Sequence, residues 1–95
     1  MAQQYIGVGR LGTHQKVAFT GTAGTTTTAA AAGVQKVRVV VTSAAYIKIG
    51  KDPTATTSDP YMPANSPEYL TIKEGEKVSA VQVSAGGDLH VTEIP

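Results

Sequence analysis

The chain has 95 residues, a formal net charge of +1 and no cysteine. This length predicts a single domain, residues 1–95, and without cysteine that domain has neither a disulfide framework nor a cysteine-ligated zinc site. Eight Lys and Arg residues balanced by seven Asp and Glu residues do not supply the concentrated positive charge of nucleic-acid-binding domains, so we expect no nucleic-acid partner.

The supply of large apolar side chains is small for a stable monomer. Aromatic residues make up 5% of the chain and tryptophan is absent. Oligomerisation is a usual remedy for a small core, so we expect self-association or binding to a larger assembly. The N-terminal sequence Met1-Ala2-Gln3-Gln4 does not resemble a secretory signal, and no apolar run is long enough to span a membrane. We therefore expect synthesis in the cytoplasm and no membrane partner.

The N-terminal region is rich in glycine, and Gln4–Val8 is expected to form an edge strand. The motif Gly7-x-Gly9-x-x-Gly12 has the spacing of the dinucleotide-binding fingerprint, which requires a helix directly after it. The following segment, Lys16–Thr20, instead alternates in the manner of a strand, with its two large apolar side chains on one face. We therefore reject a nucleotide site.

Residues 21–33 form a low-complexity segment that contains only threonine, alanine and glycine. Four consecutive alanines favour a helix, but the four threonines before them do not. We expect an extended, exposed loop, with one helical turn at Ala29–Ala32 as an option. In an alternative reading, these small side chains lie flat against a neighbouring molecule.

Two strands are predicted in the middle of the chain. Each of them alternates apolar and more polar residues, and the side chains expected to point inward are Val37, Val39 and Val41 in the first strand and Ala45, Ile47 and Ile49 in the second. The segment Thr42-Ser43-Ala44 between them forms either a tight turn or a bend in one long strand.

Residues 50–67 form a long loop that contains four of the five prolines. Because proline lacks an N–H group and has a fixed φ, this stretch is not a central strand. Loops of this length are often functional in compact domains. Tyr61 and Met62 form an apolar tip, which either packs back on the domain as a lid or contacts a partner.

Three strands are predicted in the C-terminal part, at residues 68–73, 77–83 and 89–94. Glu74-Gly75-Glu76 is expected to be a turn, and Ala85–Asp88 a hairpin turn in which glycine supplies positive φ. The apolar phase changes within 77–83, which indicates either a bulge or a strand buried on both faces. Six or seven short strands in all predict an all-β fold, a small antiparallel β-sandwich or barrel that is jelly-roll-like.

No group of side chains has the spacing of a catalytic or metal site. His90 and Asp88 are expected on one strand face near Ser84, but no nucleophile elbow surrounds this serine, and we interpret His90 as a surface histidine. The acids around the long loop lack the ligand spacing of a calcium loop; they are Asp52, Asp59 and Glu68. We predict that the protein is not an enzyme and has no cofactor and no metal site.

Three outward residues, Val40, Tyr46 and Tyr69, are candidates for an interface. Tyrosine is common in interfaces because it buries a large area with few rotatable angles. If the three side chains cluster, they form a patch between subunits; the alternative is that both faces of these strands are buried within the sandwich. Together with Tyr61 and Met62, they are the predicted partner or oligomer interface.

Several segments follow a strand order and a set of turn positions seen in a known family. They are Lys36–Ala45, Tyr46–Gly50, Asp52–Ala55, Tyr61–Ala64, Pro67–Leu70, Gly75–Val78 and Gly87–Thr92. In these segments the chain resembles short phage structural proteins, which are accessory virion proteins of the capsid-decoration, cement or neck type. The resemblance implies a compact β-sandwich on a virion, and it supplies no catalytic residue.

The resemblance leads us to expect a non-enzymatic virion component that decorates or stabilises a phage capsid and is made in the host cytoplasm. Its expected partners are the major capsid protein or portal and neck proteins. We also expect a homo-oligomer, a trimer in view of the three-fold sites of capsids. The alternative is a carbohydrate- or receptor-binding β module of a phage particle, in which Tyr61 and Tyr69 stack on sugar rings.

Overall fold

The computed structural model describes residues 12–94, which form eight β-strands and no helix. The strands are β1 (His14–Phe19), β2 (Gly24–Thr25), β3 (Lys36–Val41), β4 (Ala45–Gly50), β5 (Tyr61–Met62), β6 (Glu68–Thr71), β7 (Lys77–Gln82) and β8 (Gly87–Ile94). Within this range, no helical segment has the length and hydrophobicity needed to cross a bilayer. The strand predicted at Gln4–Val8 lies outside the described residues.

The strands pair in a nested order. β1 pairs with β8, β2 with β7, β3 with β6 and β4 with β5, and all of these pairs are antiparallel. The pairs β3–β8 and β4–β7 complete a first sheet of order β1-β8-β3-β6 and a second sheet of order β2-β7-β4-β5. This nesting in two four-stranded sheets is the topology of a jelly roll, and the predicted β-sandwich is confirmed.

The structure has more strands than the six or seven predicted. The strands that the sequence did not reveal are β2 and β5, each two residues long. Two residues cannot show an alternating pattern, so strands of this length leave no signal in the sequence.

The core lies between the two sheets, and alternation predicted most of it correctly. Val37, Val39 and Val41 are buried on the inner face of β3, and β4 places Ala45 and Ile47 opposite them, with Ile49 partly buried. Phe19 of β1 and Leu89 of β8 are the largest fully buried side chains, and each contributes about 1.5–3 kcal/mol by leaving water.

The chain crosses between the sheets at Thr42–Ala44 and again between β7 and β8. The predicted hairpin at Ala85–Asp88 is therefore wrong, because the strands on its two sides belong to different sheets. Its glycines also do not have positive φ. Gly87 is instead required by close packing, since a Cβ there would lie 2.7 Å from the Thr42 hydroxyl oxygen, which itself accepts a hydrogen bond from the Asp88 N–H at 2.8 Å.

The turn predicted at residues 74–76 is present, and Gly75 has a φ of 86°. It also connects the two sheets, from β6 to β7. Turn residues therefore marked where each strand ends but not which sheet the next strand joins.

The segment 21–33 is extended, as its composition predicted, but it is exposed only in part. Thr26 and Ala30 are buried, and the segment runs along β7. The Thr26 N–H donates to the Val78 carbonyl at 2.9 Å, and the Thr26 hydroxyl accepts from the Val78 N–H at 3.1 Å. The optional helical turn at Ala29–Ala32 is absent because the Ala30 N–H donates instead to the Glu76 carbonyl.

The long loop covers the outer face of the second sheet. Pro53 and Ala55 are buried, and the Ala55 N–H donates to the fully buried Ser79 hydroxyl at 2.9 Å. Val78 and Ala80 face the core, whereas Ser79 and Val81 are buried on the opposite side of β7. Of the two alternatives for this strand, burial on both faces is therefore correct.

Candidate functional site

The sandwich is open along one side, where β5 and β6 are the edge strands of the two sheets. A groove of about 410 Å³ runs between them, a volume in the range of small-ligand sites. Its wall is mainly apolar and includes Ile47, Ile49, Tyr61, Met62 and Leu70, together with Glu68.

The backbone of β6 is available for a further strand. β6 pairs with β3 on one side, and the Ile72 N–H just after it donates to the Gln35 carbonyl at 3.0 Å on that same side. Backbone groups alternate direction along an antiparallel strand, so the polar groups of Tyr69 and Thr71 point to the open side. Among residues 12–94, no strand pairs with that side of β6.

The opposite wall of the groove is similarly incomplete. β5 pairs only with Ala45 and Tyr46 of β4, and one further hydrogen bond joins the Ile47 N–H to the Pro60 carbonyl at 2.9 Å. Beyond that point, no described strand pairs with β4 on the groove side, where Ile49 is a partly buried wall residue. Unpaired backbone and apolar side chains thus occur on both sides of the same groove.

The predicted apolar tip is divided between core and surface. Met62 is 3% exposed and packs in the core, whereas Tyr61 is 57% exposed. The Tyr61 ring lies edge-on to the Tyr46 ring, with 6.2 Å between ring centroids and 69° between ring planes. Of the two alternatives considered for the tip, packing back on the domain is correct for Met62, which anchors the loop. Tyr61 is exposed to solvent at the rim of the groove, and contact of this ring with a partner stays a prediction.

The three outward candidates do not form one patch. Val40 and Tyr69 lie on the outer face of the first sheet, where Tyr69 pairs with Arg38 and is 42% exposed. Tyr46 lies on the outer face of the second sheet, because the chain changes sheets at residues 42–44. The same separation places Tyr61 and Tyr69 on opposite faces, so the two rings do not form the sugar-stacking pair of the carbohydrate alternative.

The charges around the groove are few. Lys48, Asp59 and Glu68 contribute to its wall, and the Asp59 carboxylate accepts hydrogen bonds from the Thr56 N–H at 2.7 Å and from the Thr56 hydroxyl at 3.3 Å. No three His, Asp or Glu side chains within residues 12–94 are placed to hold a metal ion together. The described groove therefore presents mainly apolar side chains and unpaired strand backbone, with few charges.

Within residues 12–94, no hydrogen bond joins His90 to Asp88 or Ser84, the residues considered with it in the sequence. The Nδ1 atom of His90 lies 3.3 Å from Nε2 of His14 on the neighbouring strand β1, while the described hydrogen bonds of Asp88 involve its backbone and Thr42. Sequence reasoning also missed Ile49, Glu68 and Leu70 as groove residues. Their alternation indicated which side chains point inward, but not that their strands lie at an open edge.

The chain matches no protein-family model, and comparisons with curated proteins and with solved structures found no similar protein.

Proposed function

We propose that this protein is a non-enzymatic structural component of a phage virion, which binds capsid, portal or neck proteins through the open edge of its sandwich. The observation that carries the proposal is the apolar groove between β5 and β6, with the exposed Tyr61 on its rim and, beside it, an edge of β6 that no strand of residues 12–94 covers. Exposed strand edges are usually blocked in soluble proteins, so an open edge next to an apolar groove indicates a binding surface.

The proposed binding mode is strand addition. An extended segment of the partner pairs with β6 through the outward groups of Tyr69 and Thr71, and one of its apolar side chains enters the groove beside Ile49 and Leu70. Main-chain hydrogen bonds supply affinity in this mode, and the side-chain pocket supplies specificity. The Tyr61 ring then closes over the inserted side chain.

Two observations support a virion as the location. The first is the resemblance, which covers segments from Lys36 to Thr92. The second is the nested order of the two sheets, which is the topology of many viral capsid domains and also of lectins. Because one fold has many functions, the topology supports a virion location but identifies neither the binding site on the capsid nor the number of subunits. For the oligomer we propose a trimer.

The experiment compares binding of variants to empty capsids of the phage that encodes the chain. Thr71→Pro removes an outward N–H from β6 and leaves the bonds to β3, since proline is accepted on edge strands when its nitrogen faces solvent. Tyr61→Ala removes the exposed ring. Both variants should sediment with capsids at least about ten-fold more weakly, which corresponds to the roughly 1–2 kcal/mol expected of an exposed anchor residue.

Val83→Ala is the matched control, because Val83 is an exposed apolar residue (39%) that is not part of the groove wall. Circular dichroism verifies that each variant is folded, and light scattering gives its oligomeric mass. Unchanged capsid binding of folded Thr71→Pro and Tyr61→Ala proteins would refute the open-edge mode. A wild-type protein that does not bind capsid, portal or neck proteins would refute the virion function itself.

A further inference from the structure

The only two histidines of the chain meet on the outer face of the first sheet. His14 is opposite Thr92 and His90 is opposite Lys16 in the β1–β8 register, so the two histidines are diagonal neighbours. Their rings have centroids 5.3 Å apart and planes tilted by 24°, whereas Nε2 of His14 and Nδ1 of His90 are 3.3 Å apart. Because the nitrogens are much closer than the ring centres, the rings meet edge to edge through these two atoms.

Thr92 fixes the orientation of the first ring. The Thr92 hydroxyl is 2.9 Å from Nδ1 of His14, and Thr92 is buried at 5% exposure. When this hydroxyl accepts the Nδ1 proton, Nε2 of His14 has a free lone pair and accepts the Nδ1 proton of His90. A hydrogen bond to the second ring nitrogen is the usual support of a metal-binding histidine.

We propose that His14 and His90 form a two-histidine binding site for a divalent transition-metal ion, with Cu²⁺ bound most tightly. Metal–nitrogen bonds of about 2.0–2.1 Å place two imidazole nitrogens roughly 3.3 Å apart at a tetrahedral angle and roughly 2.9 Å apart at the right angle that Cu²⁺ prefers. The separation of 3.3 Å seen here matches the first and needs a modest closure of the two rings for the second. The ion takes the place of the shared proton, which is released to solvent, and a small rotation of each ring directs both lone pairs to it.

The surroundings determine which ions fit. Two imidazoles suit copper, nickel and zinc, and Cu²⁺ is the strongest binder of the divalent series, while Ca²⁺ and Mg²⁺ require oxygen ligands. Lys16 is opposite His90, and Arg38 is opposite Thr92 on the other side of β8. These two cations lower the affinity of the site for a metal ion without further ligands. They favour an anionic ligand, such as chloride or a partner carboxylate, at the coordination positions of the metal that the two histidines leave open.

A bound ion links the edge strand β1 to the central strand β8. Since a ligand that binds only the folded state stabilises it by mass action, saturating metal should raise the melting temperature of the protein. This site lies on the outer face of the first sheet and shares no residue with the groove between β5 and β6, so it is independent of the proposed function.

The test is a calorimetric titration of tag-free protein with CuCl₂, together with electron paramagnetic resonance of the bound Cu²⁺. We expect one equivalent bound with two nitrogen ligands. Either His14→Ala or His90→Ala should weaken binding at least about ten-fold, and Thr92→Val should weaken it with both histidines still present. The His14→Ala/His90→Ala double variant gives the background from the N-terminal amine.

Lys51→Ala is the control, because Lys51 is an exposed cation just after β4 of the other sheet and outside the groove wall, and this variant should leave the affinity unchanged. Equal Cu²⁺ affinity of the wild type and either single-histidine variant would overturn the proposal. A spectrum with only one nitrogen ligand would overturn it too, since the two rings would then not act as a pair.

Discussion

The substitution Gly87→Ala adds a methyl group where two connections between the sheets, Thr42–Ala44 and the β7–β8 connection, pack against each other. A Cβ at this position would lie 2.7 Å from the Thr42 hydroxyl oxygen and 3.0 Å from both Cβ and N of Ser43. The hydroxyl cannot move away freely, because it accepts the Asp88 N–H at 2.8 Å. Overpacking of this kind costs about 1–3 kcal/mol, so Gly87→Ala should lower the melting temperature by roughly 5–20 °C for a domain of this size.

The assay is thermal and urea unfolding followed by circular dichroism, with Gly50→Ala as the matched control. A Cβ at Gly50 has no atom within 4 Å, so this variant should have wild-type stability or gain up to about 1 kcal/mol from a less flexible unfolded chain. Adding Thr42→Ala to Gly87→Ala removes the nearest atom and should recover part of the loss. If the Gly87→Ala and Gly50→Ala proteins are equally stable, the argument from close packing is wrong.

Four further substitutions test other parts of the fold by urea unfolding. Ser79→Ala leaves the Ala55 N–H without its acceptor and should cost about 1–3 kcal/mol; no loss would mean that the loop does not cover the sheet. Met62→Ala should lower the free energy of unfolding by about 2–5 kcal/mol, because it truncates a core side chain. Tyr61→Ala should lower it by at most about 0.5 kcal/mol, because the ring is on the surface. Similar losses of stability in the two variants would contradict the different burial of the two side chains. Gly75→Ala, at a φ of 86°, should cost about 1–2 kcal/mol, and a stable variant would place this turn in another conformation.

The sequence was most informative where one face of a strand is buried and the other is not. The alternation of β3 correctly placed Val37, Val39 and Val41 in the core, because period-two geometry is a local property of the chain. The change of phase within β7 was also a true signal. Its cause is the burial of Ser79 beneath the long loop, where the Ala55 N–H donates to the Ser79 hydroxyl. Because Ala55 is 24 residues from Ser79, the local sequence of β7 left two alternatives open.

Features that depend on distant partners could not be predicted in this way. The glycines at Ala85–Asp88 favoured a hairpin, yet Gly87 is needed for the approach of Thr42. The proximity of His14 and His90 likewise follows from the pairing of β1 with β8, two strands at opposite ends of the described chain. The candidate groove was missed for a related reason: no local pattern distinguishes an edge strand from a central one when both are short.

The nested strand order also determines when the chain can fold. β8 is the last of the strands within residues 12–94, yet it lies between β1 and β3 in the first sheet, and His14 pairs with Thr92. A nascent chain without β8 would leave these two strands without their common neighbour, so the first sheet can be completed only after β8 has been synthesised. Closing such long loops is slow, and all-β domains with distant pairings fold in milliseconds to seconds. The unpaired strands are prone to aggregation during this interval, so the chain is most vulnerable after β3 has formed and before β8 has paired.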